Sequence, residues 1–119
     1  MTMYRLKLLI ILLFAVGFTI ACFDSKTQRF SITDSRSYEA SLFRQNCAIC
    51  HGPEGEGKTL EDGKQIPNLR QAPFKYNTDE QIYNHIAEGG NGMVSFRNQL
   101  SERELRSMVE FVRRDLRGN

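Results

Sequence analysis

The chain has 119 residues, of which 40% are hydrophobic, and a formal net charge of +2 at pH 7. With no internal repeat, this length predicts one small domain. Arg5 and Lys7 are the only charged residues before residue 22, so the remainder carries 14 basic and 14 acidic residues. A neutral remainder without a basic block argues against a nucleic-acid partner.

Residues 1–21 have the layout of a secretory signal. A short basic region precedes an uncharged apolar run from Leu8 to Phe23. The run is short for a membrane-spanning helix, which needs about 20 apolar residues. It contains the sequence TIAC, which resembles the lipobox of bacterial lipoproteins. In a lipobox the cysteine, here Cys22, is lipidated and becomes the first mature residue.

Three interpretations of this N-terminal segment stay open. They are a lipoprotein signal ending before a lipidated Cys22, an uncleaved anchor helix, and an ordinary signal cleaved after Ala21. All three predict export, to the periplasm or the outer face of the cell membrane. Residues 22–34 are mostly polar and lack periodicity, so they are predicted to form a flexible tether. The folded domain is then predicted over residues 35–119.

Three segments of this domain have the apolar spacing of amphipathic helices. They span residues 37–47, about 79–88 and about 102–116. Capping-box pairs open the second and third: Thr78 with Gln81, and Ser101 with Glu104. No segment alternates as a strand, so the predicted fold is all-α. The Gly- and Pro-rich stretch 52–77 has no clear helix, and we expect it to wrap a ligand.

The pentapeptide CAICH at residues 47–51 is typical of a c-type haem attachment site. Cys47 and Cys50 are one helical turn apart, so their thiols can form thioethers to the two vinyl groups of one haem. His51 then becomes an axial ligand of the iron. A redox dithiol is usually preceded by a strand, whereas the segment before Cys47 is predicted to be helical. A structural zinc site needs four ligands, and the sequence has only one further cysteine and one further histidine. The motif therefore predicts one covalently bound haem c with its iron.

With these elements placed, residues 37–117 resemble the small monohaem class I cytochromes c. The resemblance implies a fold of three main helices and loops wrapped around one haem. The first and last helices cross in that family, and the matching contact here is Phe43 against Phe111. The family usually has a glycine eight residues before the first motif cysteine. Here that position is Glu39, followed by Ala40.

The resemblance also implies contacts around the haem. The sequence IPNL matches the family loop whose proline carbonyl accepts a hydrogen bond from the axial histidine. Pro67 is thereby implied as the acceptor for His51. Arg70, Lys75 and Tyr76 fall in the region where the family often keeps polar groups near the haem propionates, although exposed loop positions are an equal alternative.

The sixth iron ligand is implied at Met93, in a glycine-rich loop after the second helix. The family commonly shows Met-Pro-x-Phe at this place. Met93 and Phe96 match it, but Val94 replaces the proline, so a more loosely held loop is predicted. Met108 lies on the apolar stripe of the last helix and is predicted to be a core residue. His85, or an open or water-bound iron, is the alternative.

The function implied by the resemblance is an exported, membrane-tethered electron carrier in a respiratory or related redox chain. Such a protein is not an enzyme and has no small-molecule substrate. Its partners are redox proteins, either membrane complexes or exported reductases and oxidases, that dock transiently. Two alternatives stay open. One is a fixed haem subunit of a larger membrane complex, and the other is a haem sensor or peroxidase-like domain with an open distal site.

Overall fold

The computed structural model of the protein describes residues 2–21 and 29–118. The first stretch is one helix, α1 (Thr2–Ala21), whose side chains over residues 3–13 are exposed. Among the described helices, none combines the length and apolarity needed to cross a membrane. The predicted lipidation site, Cys22, lies outside the described residues, as does the rest of the predicted tether up to residue 28.

The domain that follows is built mainly of helices, which lie close to their predicted bounds. They are α2 (Tyr38–Asn46), α3 (Ala48–His51), α4 (Asp79–Glu88) and α5 (Glu102–Glu110), which continues as π-type turns over Phe111–Leu116. Both predicted capping boxes are formed, at Thr78 for α4 and at Ser101 for α5. They satisfy backbone N–H groups that a helix start leaves without partners.

Residues 52–77 contain a small hairpin that no sequence pattern indicated. Strand β1 (Lys58–Thr59) pairs antiparallel with β2 (Gln65–Ile66). Gly57 precedes β1 with φ of +75°, and a Cβ there would lie 2.4 Å from the carbonyl oxygen of Ile66. Glycine is therefore required for this close approach. Strands of two residues are too short to show the alternation by which strands are recognised.

The core lies where α2 packs against α5 and its continuation. The rings of Phe43 and Phe111 are almost fully buried, with centroids 6.0 Å apart. The predicted contact between them is therefore confirmed. Glu39 replaces the family glycine, and the next residue, Ala40, is fully buried. Truncating either phenylalanine to alanine is expected to cost about 3–5 kcal/mol, as for other core phenylalanines.

The domain begins earlier than predicted. Residues 30–34, here called the N-terminal strap, pack onto the core. Ile32 is fully buried, and the ring of Phe30 meets Phe111 edge-on with centroids 5.6 Å apart. The predicted tether, residues 22–34, is therefore too long at its C-terminal end, because these apolar side chains gain more by burial than by remaining in solvent.

Three charged side chains bond the strap to the domain: Arg44, Glu54 and Arg70. Arg44 donates from Nη1 to the Ile32 carbonyl at 2.5 Å. The Glu54 carboxylate accepts hydrogen bonds from the Ile32 N–H at 2.9 Å, and from the Thr33 N–H at 2.9 Å and hydroxyl at 2.7 Å. Arg70, only 8% exposed, donates from Nη1 to the Phe30 carbonyl at 2.9 Å. Its Nη2 pairs with Glu54 Oε2 at 2.7 Å. The strap thus depends on an ion pair between residues far from it in sequence.

Replacing Glu54 tests this connection. Burial alone would raise the pKa of Glu54, but the bonds from Ile32 and Thr33 and the charge of Arg70 lower it to about 2, from an ordinary 4.5. The ionised group therefore stabilises the fold above pH 4.5, and this contribution is lost as the pH falls toward 2. We expect Glu54→Gln to lower the free energy of unfolding at pH 7 by about 2–3 kcal/mol. This is less than for a fully buried pair, because the Glu54 side chain is 34% exposed.

Denaturant unfolding at pH 7 and pH 3 measures this effect. The difference in stability between the wild type and Glu54→Gln should be smaller at pH 3. Glu61→Gln is the matched control, because Glu61 is exposed and makes no side-chain hydrogen bond within the described residues. Equal losses in the two variants at pH 7 would contradict the assigned role of Glu54.

Candidate haem-binding site

A cavity of about 410 Å³ lies between the CAICH motif, residues 65–76, α4 and the loop after α4. Its size falls within the range of ligand pockets. Much of its wall is apolar, formed by residues that include Phe43, Ile82, Ile86, Phe96, Leu100 and Val112. The side chains predicted to contact haem also lie on this wall: Cys47, Cys50, His51, Pro67 and Met93.

The junction of α2 and α3 positions the motif. The Cys47 N–H closes α2 by donating to the Phe43 carbonyl at 2.8 Å, and the His51 N–H donates to the Cys47 carbonyl at 2.9 Å. The motif is thus one helical turn, and both cysteines reach the same cavity. Cys47 is half-buried, Cys50 is exposed, and both are free thiols.

The chemistry of the motif argues against the other two interpretations. Burial, and to a lesser degree Cys50, raises the pKa of the Cys47 thiol to about 12. A redox dithiol needs the opposite, a thiol whose pKa is lowered so that the thiolate can attack. Within the described ranges, no cluster of three or more His, Cys, Asp or Glu side chains could hold a metal ion such as zinc. The two thiols therefore fit covalent attachment best.

His51 has the environment of a metal-binding imidazole. Burial lowers the pKa of His51, as does the charge of His85, while the Pro67 carbonyl acts to raise it. Burial therefore favours the neutral ring that a metal requires. His51 Nδ1 is buried and has no hydrogen-bond partner of ordinary geometry among residues 29–118. The Pro67 carbonyl is near enough to influence the ring and is the acceptor toward which Nδ1 can turn.

The loop that carries Met93 is fixed to the end of α4. Gly90 and Met93 exchange backbone hydrogen bonds of 2.9 and 3.0 Å, and the Phe96 N–H donates to the last turn of α4 at 3.1 Å. A Cβ on Gly89, whose φ is +76°, would lie 2.6 Å from the Met93 carbonyl oxygen. Glycine at this position therefore allows the loop to close. Val94, which stands where the family has proline, is 61% exposed. The predicted looseness of the loop stays a prediction.

Two other candidate ligands lie on the same wall. Met108 is 2% exposed and belongs to the core, as predicted, yet it also borders the cavity. The ring of His85 stacks against Tyr76 with centroids 4.4 Å apart. Burial lowers the pKa of His85, and the charge of Lys75 lowers it further, while a hydrogen bond to the Gly89 backbone acts to raise it. Both residues are set on helices, whereas Met93 is presented by a loop.

The predicted propionate partners separate into two groups. Lys75 and Tyr76 line the cavity, whereas Arg70 does not. Arg70 is bonded to Glu54 and the strap and is buried, so it fits neither of its two open interpretations, a propionate partner or an exposed loop residue. Arg117 lines the cavity instead. No sequence pattern indicated it, because it looks like one more arginine among the exposed ones of the last helix.

Known proteins share this domain. A family model described as cytochrome c oxidase, cbb3-type, subunit III matches residues 39–112, more than half of the chain. The cytochrome bc1 complex cytochrome c subunit of Corynebacterium efficiens is 36% identical over 73 residues, which are 60% of this chain and 23% of that protein. Cytochrome c6 of Parathermosynechococcus lividus is 26% identical over 73 residues, which are 61% of this chain and 82% of that protein.

Among solved structures, the KustC0563 c-type cytochrome matches with a TM-score of 0.54 and 31% identity. The match covers 61% of this chain and 90% of that one. The chain spans about a quarter of the length of the bc1 subunits that it matches, but most of the cytochrome c6 and of the solved cytochrome. The shared unit is thus a cytochrome c domain. The chain belongs to the cytochrome c family that the cbb3-type subunit III model describes, and it carries covalently bound haem c.

Proposed function

We propose that the protein is an exported monohaem electron carrier in which Cys47 and Cys50 attach the haem, and His51 and Met93 are the axial ligands. The observation that carries this proposal is that all four side chains line one largely apolar cavity. Haem c supplies the ferrous–ferric couple when bound. In this proposal, helices α2, α4 and α5 and the loops between them surround the haem in the arrangement of the class I cytochromes c.

The chain's own residues explain why such a site would transfer electrons and not bind a substrate. His51 is held as a neutral imidazole by burial, and Pro67 orients it. Met93 is held by a loop bonded to α4, so its thioether can fill the remaining axial position. A thioether ligand and a largely apolar wall both favour the reduced state and therefore raise the reduction potential.

Exogenous ligands test this proposal. We expect the reduced protein to bind no carbon monoxide at neutral pH, because Met93 occupies the position that the gas needs. Absorption spectra before and after addition measure this, with Met93→Ala as the control that should bind the gas. Rapid binding by the wild type would favour the sensor or peroxidase-like alternative.

We also propose that residues 1–21 are a lipoprotein-type signal and that Cys22 carries the lipid. Support comes from the TIAC sequence and from the exposed apolar side chains over residues 3–13. With the strap assigned to the domain, the tether shortens to about residues 22–29. The carrier would then lie at the periplasmic side or the outer face of the cell membrane, within reach of membrane-bound partners.

Substituting Cys22 checks the membrane proposal. Cys22→Ser should move the protein from the membrane fraction to the soluble fraction, or leave the precursor unprocessed. Mass spectrometry of the wild type should find a diacylglycerol on Cys22 as the N-terminal residue. A mature protein that retains residues 1–21 would support the anchor helix instead, and an unmodified Cys22 at the N-terminus would support ordinary signal cleavage.

The partners in this proposal are redox proteins of a membrane-associated chain. A second candidate function is a fixed haem subunit of a larger membrane complex. It is favoured by relatives described as cytochrome bc1 complex cytochrome c subunits, although the chain spans only about a quarter of their length. Extraction in mild detergent separates the two, since a subunit migrates with a larger complex at fixed stoichiometry and a carrier migrates alone.

A further inference from the structure

The charged and polar side chains at one part of the cavity form a cluster. Among the described residues, the cavity wall contains Lys75 and Arg117 but no aspartate or glutamate. Arg117 Nη1 donates to the Tyr76 carbonyl at 2.7 Å, and Asn91 Nδ2 donates to the Tyr76 hydroxyl at 3.0 Å. Lys75 Nζ lies 5.5 Å from the centre of the Tyr76 ring. We call these four residues the cationic end of the cavity.

Arg117 is fixed in position but only partly bonded. Its guanidinium lies over the Phe74 ring, 4.0 Å from the ring centroid. Nε is buried without a hydrogen-bond partner, and within residues 29–118 no carboxylate pairs with this side chain. Burial, and the nearby charge of Arg113, lower the pKa of Arg117. A partly buried cation without a counter-ion is costly, so this arrangement indicates an anion in the cavity.

We propose that Arg117, assisted by Lys75 and Tyr76, binds a propionate carboxylate of the haem. Haem c carries two carboxylates on a largely apolar macrocycle, which matches a largely apolar wall whose lysine and arginine both belong to this cluster. A planar guanidinium suits a carboxylate because it can offer two N–H donors at once, and a lysine adds a point charge. The inference rests on the proposed haem attachment, but it does not depend on Met93 or on the electron-carrier role.

The positive charge of Arg117 has a measurable consequence for the haem. A nearby cation lowers the pKa of a carboxylate and favours the less positive, ferrous iron. Without that charge, the propionate binds a proton at low pH and loses it as the pH rises, and its negative charge then stabilises the ferric iron. The reduction potential of a variant without the Arg117 charge should therefore fall as the pH rises from 5 to 8. His85, which stacks on Tyr76, is a further titratable neighbour, and burial lowers its pKa. Lys75 and Arg113 are the other charged neighbours.

The test is the pH profile of the reduction potential in the full, haem-loaded protein. Arg113→Gln is the matched control, because Arg113 lies four residues earlier, bonds to the Asn77 carbonyl at 2.6 Å and to Asp79 at 3.2 Å, and does not line the cavity. As the pH rises from 5 to 8, the equilibrium constant for haem reduction should fall in both variants or in Arg117→Gln alone. We expect the fall in Arg117→Gln to be at least tenfold larger than in the control. Tenfold equals about 59 mV for a one-electron couple. Arg117→Lys retains the charge and should keep most of the wild-type profile.

Superimposable profiles of Arg117→Gln and Arg113→Gln would overturn the proposal. So would a loss of stability shared by Arg117→Gln and Arg117→Lys without any change in profile, because that result means a structural role only. If Arg117→Gln yields no folded protein, Lys75→Gln at an exposed position decides the question. It should shift the profile in the same direction by a smaller amount, and an unchanged profile overturns the proposal. Carbon monoxide binding reports separately on Met93. Failure of the axial assignment can therefore be distinguished from failure of the propionate proposal.

Discussion

Replacing both Cys47 and Cys50 by alanine should abolish covalent haem binding completely. In the proposed attachment each thiol supplies one thioether, and both cysteines line the same cavity from one helical turn. With neither thiol present, the haem is held only by axial ligation and burial. Acid–acetone should then extract it, and it should leave the chain on a denaturing gel. The wild type should keep its haem in both procedures, and its reduced pyridine adduct should show a two-thioether spectrum.

The single variants are the matched controls for this experiment. Cys47→Ala and Cys50→Ala should each keep the haem covalently bound through one thioether, with a shifted spectrum of the pyridine adduct. We also expect the double variant to unfold more easily. Haem without its thioethers is lost more readily, and the cavity of about 410 Å³ that it empties is bordered by core residues such as Phe43 and Val112. Haem that acid–acetone extracts from the wild type, or that resists extraction in the double variant, would contradict the attachment site.

Local patterns account for most of what the sequence predicted correctly. A capping box needs two residues three positions apart, so Thr78 with Gln81 is visible in the sequence and formed in the structure. The CAICH motif likewise contains its geometry within one helical turn. The contact between Phe43 and Phe111 joins distant residues, and it was predicted only through the family resemblance. The helix bounds followed because caps and apolar spacing agree at each end.

The N-terminal strap could not be predicted in this way. Its sequence around Phe30 and Ile32 looks like a polar linker, with two apolar residues and no helical period. The strap is held by hydrogen bonds between its backbone and the side chains of Arg44, Glu54 and Arg70. These bonds join residues 12 to 40 positions apart and leave no local signature. The ion pair between Arg70 and Glu54 explains why Arg70 is absent from the cavity wall.

The residues of the cavity also divide into those that the sequence predicted and those that it did not. The motif, Pro67 and Met93 could be assigned to one site because the family resemblance links them across the chain. Arg117 could not, since only the packing of the last helical turns brings it beside Tyr76. The cavity wall also includes Met108 and His85, so the wall alone does not single out Met93 as the sixth ligand. Substitution of the individual residues is therefore the decisive evidence.

Replacing Met93 by alanine should have the largest effect on the haem's electronic properties. Without the thioether, the Met–iron charge-transfer band of the ferric protein should disappear, and exogenous ligands should bind. The reduction potential should fall on the order of 0.1–0.3 V, a fraction of the roughly 0.8 V range that axial ligands set in haem proteins. Optical spectra and a redox titration measure these changes. The loop should keep its shape, because its bonds to α4 come from backbone groups.

Met108→Ala is the matched control, because it removes the same side chain from the same cavity wall. Met108 is buried in the core on α5. Its loss should lower the free energy of unfolding by about 2–5 kcal/mol through the cavity it leaves, while the charge-transfer band stays in place. The two variants should therefore separate ligation from packing. If Met93→Ala keeps the band and the potential while Met108→Ala loses them, the ligand is Met108. If neither substitution changes the spectrum, His85 becomes the candidate, since an imidazole can bind haem iron and His85 lies on the same wall.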